Sequence, residues 1–566
     1  MSSHAPKGQR LLPTTIDTIA RETPDRICMS LPRTSNLADD GFEDITFARF
    51  ANAINRLTWW MEGSFGKAEG FETVAYIGRS DARYLVLGVA AAKGGWKALF
   101  SSHMNSLPGH LNLLEKCGCS KFMSAEGVDV ADILESRQMK HFIIPSLDEI
   151  LDPEPVERYP YDKTWDEAQR DPYLILHTSG TTGLPKPVTL TLKVAAYIDA
   201  HSTVDVLPSK DLGYKRCNRM AAYRGRLLCP FAPFHVIIMG KVLPLMVYGE
   251  TVLVFPLREG MASPPQIINA IDHGNVSRAF LSPALLTELA KSEAGISRLE
   301  KLEKTFYGGG TLPHQAGNLI ASRTHLINIF GSTEIGAPVS GELPSEDWEW
   351  VALDPDYNGL EWRKQSDSFS AGKLYEPVMV KNKDIEPHQV VFLIYPHLNE
   401  WPLGDLWTKH PERPHTWKYA GRNDDLICYS NGLKYHPLET ESRISSHEFV
   451  QAALMFGHAH LQPVLLVELR TEIAQQTTAD NEKRKEVEDS IWRLVEEMNV
   501  DAPSVGKVAR THILYTKPGK PLLRASKGTV QRWASVEEYK TEIEDVYRKF
   551  GDVPVKMMGR TEGQRS

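Results

Sequence analysis

Apolar and polar positions change their rhythm along this chain, and the rhythm predicts the elements. Residues 46–62 (TFARFANAINRLTWWME) carry apolar side chains at helical spacing, which predicts an amphipathic helix. Thr73–Ile77 is a short apolar run ending at Gly78. A helical stretch follows from about Asp81 to Lys93 and stops at the pair Gly94-Gly95, and Lys97–Phe100 is strand-like again. Strand, helix and strand in succession predict a parallel sheet with crossover helices. The pattern recurs in the strand-like runs Tyr173–His177, Leu227–Cys229, Thr251–Phe255, Ala279–Leu281 and Lys304–Tyr307. To about residue 340 the chain reads as α/β layers. Beyond it, Val390–Tyr395 and Trp417–Gly421 suggest a more β-rich piece.

The style changes near Asp424. A loop at Tyr429–Gly432, a strand at Val464–Leu469 and a charged helix at Glu482–Met498 follow. In that helix Val487, Ile491, Leu494, Val495 and Met498 share one face. Residues 536–550 predict one more amphipathic helix, and 559–566 read as a disordered tail. The expected fold is α/β: a large N-terminal domain of layered sheets and helices with a β-rich subdomain over 1–423, a small mobile α+β domain over 424–535, and a helix and linker over 536–566.

Composition narrows the function. The 566 residues are too many for one compact core, at ~100–200 residues per domain. A formal net charge of −8 argues against a nucleic-acid binder, which needs a basic face. No run approaches the ~20 apolar residues of a membrane helix. The first residues carry charge without the apolar stretch of a signal peptide. Six scattered cysteines make no disulfide framework, which suits a reducing cytoplasm. Cys117-Gly-Cys119 is the one close pair, and no nearby Cys or His pair completes a zinc set.

The chemistry gathers in five motifs. His177-Thr-Ser-Gly-Thr-Thr-Gly-Leu-Pro-Lys-Pro-Val188 follows a strand. It puts the hydroxyls of Thr178, Ser179, Thr181 and Thr182, the glycines Gly180 and Gly183, and Lys186 in one short loop. Glycines let backbone N–H groups approach an anion, hydroxyls add donors, and lysine adds a charge for phosphate. The spacing is not that of a Walker A loop. Next come Tyr307-Gly-Gly-Gly310 and Asn328-Ile-Phe-Gly-Ser-Thr-Glu-Ile-Gly336. Trp401-Pro-Leu-Gly-Asp405 is followed by Tyr419-Ala-Gly-Arg422, and the last motif is Pro521-Leu-Leu-Arg-Ala-Ser-Lys527-Gly-Thr-Val-Gln-Arg532.

Together, over roughly residues 15–535, these motifs resemble the adenylate-forming superfamily of acyl-CoA synthetases, luciferases and nonribosomal peptide synthetase adenylation domains. The resemblance implies ATP (leaving AMP) and Mg²⁺ as cofactors. Thr178 to Lys186 would hold the phosphates. Gly308 and Gly309 would lie beside adenine and acyl group, Phe330 near the adenine, and Ser332 and Thr333 along the nucleotide. Glu334 would bind Mg²⁺, as suits a hard cation. Asp405 would accept from the ribose diol, Arg422 would reach ribose and phosphate, and Asp424 would be the hinge. Lys527 would bridge carboxylate and nucleotide, stabilising charge on phosphorus. Lys527 and His235 are the catalytic candidates.

The branch is read from departures. Phe231-Ala-Pro-Phe-His235 holds an imidazole where amino-acid-activating relatives usually place an Asp. An α-ammonium would stay unpaired there, so an aryl or other non-α-amino acid is expected. His235, Met239, Gly308 and Ile335 are the substrate candidates. Cys428 replaces a common lysine after the hinge, which resembles fungal synthetase-like carboxylic acid reductases. That branch implies a phosphopantetheine-bearing carrier domain and a reductase domain as downstream partners. Neither signature occurs in this chain, which reads as the adenylation part of a longer protein. A stand-alone acyl- or aryl-CoA ligase is the first alternative. A non-catalytic nucleotide-binding protein is the second, opposed by the joint presence of Lys186, Glu334, Asp405, Arg422 and Lys527.

Overall fold

A computed structural model describes residues 5–34, 40–179, 184–204, 214–216, 222–365, 373–431, 433–503, 506–524 and 530–552. The tail expected over 559–566 lies outside the described residues.

Two mostly parallel sheets face each other across the main core. The first runs in the order Leu326–Ile329, Lys304–Gly308, Arg278–Leu281, Gly225–Leu228, Thr251–Val254, Ile27–Pro32, Phe42–Thr46, with only the last pair antiparallel. The second runs Lys140–Ile143, Lys121–Ser124, Thr73–Ile77, Lys97–Phe100, Pro172–Ser179, Pro185–Thr191, again with only the last pair antiparallel.

Period-two alternation explains the layering. Val74, Tyr76, Ala98 and Phe100 face inward to a core shared with Leu227, Leu253, Phe280 and Phe306 of the other sheet. Ala75, Ile77, Leu99 and Phe122 face outward, to the helices Leu107–Lys116 and Ala131–Ser136. Leu228, Val254, Ala279 and Leu281 face outward from the first sheet. Helices Leu12–Glu22, Phe47–Phe65 and Arg83–Gly94 fill the space between the sheets. The last is apolar and buried almost all round, as a helix between two layers must be. It stops at Gly95, which is left-handed with φ +87°.

A third, antiparallel sheet runs Leu360–Lys364, Leu374–Val380, Asp405–Lys409, Thr416–Arg422, Trp350–Leu353, Ser340–Glu342, Lys215–Arg216. Its aromatic core joins Trp407 and Trp417 to Trp362, which stacks on Trp417 at 3.5 Å. One expected strand here is a helix: Val390–Ile394 is α-helical and buries Val390, Val391 and Phe392. A short apolar run fits a buried helix as well as a strand.

The C-terminal part has its own sheet, Val450–Phe456, Val464–Leu469, Ile513–Tyr515. Ala453, Met455, Leu465 and Val467 face the helix Asn481–Asp501, while Ala452, Leu454, Val464 and Leu466 face the helix Lys540–Phe550. The single helix expected over 536–550 is two, Arg532–Glu538 and Lys540–Phe550. The break falls at Tyr539, whose hydroxyl donates to the Lys520 carbonyl and accepts from Lys517 N.

Candidate active site

The phosphate-type motif is a β-hairpin. Thr178 pairs with Lys186 and Ser179 with Pro185 across the strands. Thr178 is half-buried and Lys186 exposed. Gly180, Thr181, Thr182 and Gly183 lie outside the described residues. The hairpin base is braced from the side. Ser102 N donates to His177 Nε2 at 3.0 Å, and Asn112 Nδ2 donates to the Pro185 carbonyl at 2.7 Å. The His177 ring is therefore a neutral acceptor. Burial, with His110 nearby, pushes its pKa down to about 4.

The nucleotide-type residues surround the start of the antiparallel sheet. Asp405 and Arg422 are cross-strand partners, with Nη1 to Oδ1 at 3.7 Å, and Arg422 Nη2 is 3.5 Å from Asp424 Oδ2. Gly421 has φ +119°, and a Cβ there would fall 1.7 Å from the His436 ring, so only glycine fits before Arg422. Phe330 meets Trp407 edge-on at 4.7 Å, which fixes its ring plane. Ser332 and Gly336 bridge, closing a tight loop in which Ser332 Oγ donates to Glu334 Oε2 at 2.9 Å. Ser332 is exposed, while Thr333 and Glu334 are half-buried. Nearby, burial and the Glu334 carboxylate hold the Tyr395 phenol above its ordinary range.

The acyl-type residues lie deeper, and only some converge. His235 stacks on Phe231 at 5.9 Å, and Ile237 N donates to His235 Nδ1 at 3.2 Å. Phe231 meets Phe280 edge-on at 5.2 Å. A Cβ on Gly308 would lie 3.5 Å from Phe280 and 2.5 Å from the Ile329 carbonyl, so the strand end at Gly308 is held at close approach. Gly309, with φ +82°, has open space where a side chain would be. Lys241 Nζ, nearly buried, donates to Tyr223 Oη at 2.7 Å and lies 4.8 Å above the Phe280 ring. Met239 belongs to the same core as Phe280 and Tyr223, and its N–H donates to the His235 carbonyl, whereas Ile335 sits in a separate cluster. Met239 packs where a Gly88 Cβ would go, and Ile335 packs with Met379, Val391 and Phe392.

Phe231 opens the segment quoted for His235, but Phe280, Tyr223 and Lys241 were not singled out from the sequence. Strand alternation was the available signal for Phe280, which shares its face with Phe306. Lys527 lies outside the described residues. Its neighbours Arg524 and Val530 form a bridge.

Around the antiparallel sheet these residues offer a carboxylate, a guanidinium and a fixed aromatic ring, and the hairpin is braced at its base. The family model for AMP-binding enzymes matches residues 16–358, and that for the AMP-binding enzyme C-terminal domain matches 424–551. The chain belongs to the AMP-binding enzyme family. Among AMP-binding enzymes it is 33% identical over 549 residues to a carboxylic acid reductase of Neurospora crassa, covering 96% of this chain and 51% of that protein. It is 28% identical to adenylate-forming reductase Nps9 of Serpula lacrymans, covering 90% and 47%. The chain thus spans about half the length of these relatives. Its fold matches an anthranilate CoA ligase in complex with anthranoyl-AMP (TM-score 0.66, 16% identity, covering 94% and 98%). It also matches the o-succinylbenzoate CoA synthetase of Bacillus subtilis in complex with ATP and magnesium (TM-score 0.62, 17% identity, covering 92% and 98%). Among the described residues no helix is long and apolar enough to cross a membrane.

Proposed function

We propose that this chain adenylates a carboxylic acid lacking an α-amino group, an aryl acid first, and passes the acyl group to a phosphopantetheine thiol on a carrier domain. This would be the opening step of a cytoplasmic carboxylic acid reductase. The observation that carries the acid class is the set Phe231, His235, Phe280, Tyr223 and Lys241. It offers rings, an imidazole and an ammonium, and none of these side chains is a carboxylate to pair an α-ammonium. Similarity to carboxylic acid and adenylate-forming reductases supports the downstream steps.

In the first half-reaction a carboxylate oxygen attacks the α-phosphorus of ATP, the bond to pyrophosphate breaks, and acyl-AMP forms. Asp405 accepts from the ribose hydroxyls, and Arg422, held between Asp405 and Asp424, reaches toward the phosphate. Glu334 would take Mg²⁺, which neutralises phosphate charge. Lys527 stabilises the charge on phosphorus. The part beyond Asp424 then turns about that residue and withdraws Lys527. The thiol attacks the acyl carbon, and AMP leaves.

ATP–pyrophosphate exchange against aryl, fatty, α-keto and amino acids tests this reading. Exchange with aryl acids is expected. Exchange with amino acids alone would overturn the reading of His235. Transfer from acyl-AMP to free CoA but not to a carrier domain would favour the ligase alternative.

A further inference from the structure

Arg532 is the first residue of the helix that follows the Lys527 loop, two positions beyond the Arg524–Val530 bridge at the base of that loop. Its guanidinium is only 11% exposed and gathers acceptors from three other segments. Nε donates to Asp425 Oδ1 at 3.1 Å. Nη1 donates to Glu441 Oε1 at 2.8 Å and to the Met455 carbonyl at 2.9 Å, and Nη2 donates to Glu441 Oε2 at 2.6 Å.

These acceptors are not equivalent. Glu441 lies in the helix Leu438–Ser445 and also accepts from Met455 N at 2.6 Å, so its pair with Arg532 braces the C-terminal sheet. Asp425 lies in the 3₁₀ turn Asn423–Asp425, whose Asn423 N donates to the Gly404 carbonyl beside Asp405. The Asp425 bond therefore runs from the turn at the expected hinge to the helix Arg532–Glu538. A buried fork with one arm on a rigid brace and the other on a turn fixes the angle between them, because guanidinium geometry is planar and rigid.

We infer that Arg532 is a positioning residue: through Asp425 it ties the turn Asn423–Asp425 to the helix Arg532–Glu538, which follows the Arg524–Val530 bridge, so that the turn and that helix move as one piece. This rests on the adenylation reading above. Insertion of Lys527 serves the first half-reaction only, so loosening the tie should harm adenylation and spare thiol transfer.

The informative variant is Asp425→Asn, which weakens the tie and leaves the Glu441 brace intact. The tie is read first without any acid, in the full chain, by tryptic cleavage after Arg422. Cleavage there is expected to rise several-fold, with the thermal midpoint and cleavage elsewhere unchanged. Unchanged cleavage after Arg422 overturns the tie, whatever the enzyme's substrate. The role is then read with the acid that the unaltered chain exchanges fastest, starting with benzoate. ATP–pyrophosphate exchange should fall roughly tenfold, while transfer from the matching acyl-AMP to pantetheine changes less than about twofold. Arg532→Lys, which keeps the charge but not the fork, should show the same split more weakly than Arg532→Gln. Equal loss in both half-reactions, or loss in transfer alone, overturns the positioning role. Absence of exchange in the unaltered chain would count against the adenylation reading and leave the cleavage result to judge the tie.

Discussion

The two ends of the proposed site are built on opposite plans. At the proposed acyl end, Phe280 is 1% exposed within the core between the two parallel sheets, and Lys241, 4% exposed, lies over its ring. At the nucleotide end, the Arg422 side chain is 46% exposed, and its two carboxylate neighbours stand 3.5–3.7 Å away in open geometry. The buried end admits little adjustment, because packed interiors resist small displacements. The open end offers charge, and its ion pairs would hold little against the proposed turn of the C-terminal part, since exposed ion pairs contribute little to holding a conformation. On the function proposed above, the difference would assign substrate choice and domain motion to separate groups of residues.

Removing the lysine proposed to bridge carboxylate and nucleotide should have the largest effect. Lys527→Ala is expected to lower ATP–pyrophosphate exchange by about a thousandfold, with transfer from supplied acyl-AMP largely spared. Equal loss of both would dissolve the distinction between a fixed and a moving end. Asp405→Ala should lower kcat/KM for ATP by roughly ten- to a hundredfold, as charged hydrogen bonds are lost, without changing which acid is preferred. A changed acid preference would mean that the ends are not separate. His235→Asp sharpens the comparison from the other side. The ratio of amino-acid to aryl-acid exchange should rise about tenfold with an unchanged KM for ATP.

The smallest effect expected is on stability against pH. Burial holds His110, His177 and His436 down to about 4, against an ordinary value near 6.5. The unfolded chain binds more protons between those values, so their contribution is complete above about pH 6.5 and is lost as pH falls toward 4. The thermal midpoint should therefore drop between pH 7 and 5, and His110→Gln should flatten that slope. An unaltered slope in the variant would remove His110 from the account.

Much of the frame was legible because local pattern and tertiary burial agree. Lys97–Phe100 and Val464–Leu469 are strands at the expected residues, each bounded where its apolar run ends. Val390–Tyr395 was misread because an unbroken apolar run of this length has no period to distinguish helix from strand. The nucleotide candidates could be named in advance because they lie in short motifs, and the motif at Arg422 has a backbone reason in Gly421 against His436. Tyr223, Phe280 and Lys241 were not, because they come from three separate segments and meet only once the sheet has formed. The same holds for Arg532, whose acceptors lie 77 to 107 positions earlier in the chain.

The first sheet also sets a clock for biosynthesis. Ile27–Pro32 is the strand nearest the N-terminus, yet its parallel partner is Thr251–Val254, with Met29 opposite Leu253. At ~5–20 residues per second, a ribosome needs roughly ten to fifty seconds to supply that partner. Until then the strand has only its antiparallel neighbour Phe42–Thr46, and its other edge stays open to any extended segment it meets. Nascent chains ending before residue 251 should therefore be the most aggregation-prone species this sequence passes through, and the ones that most depend on chaperones.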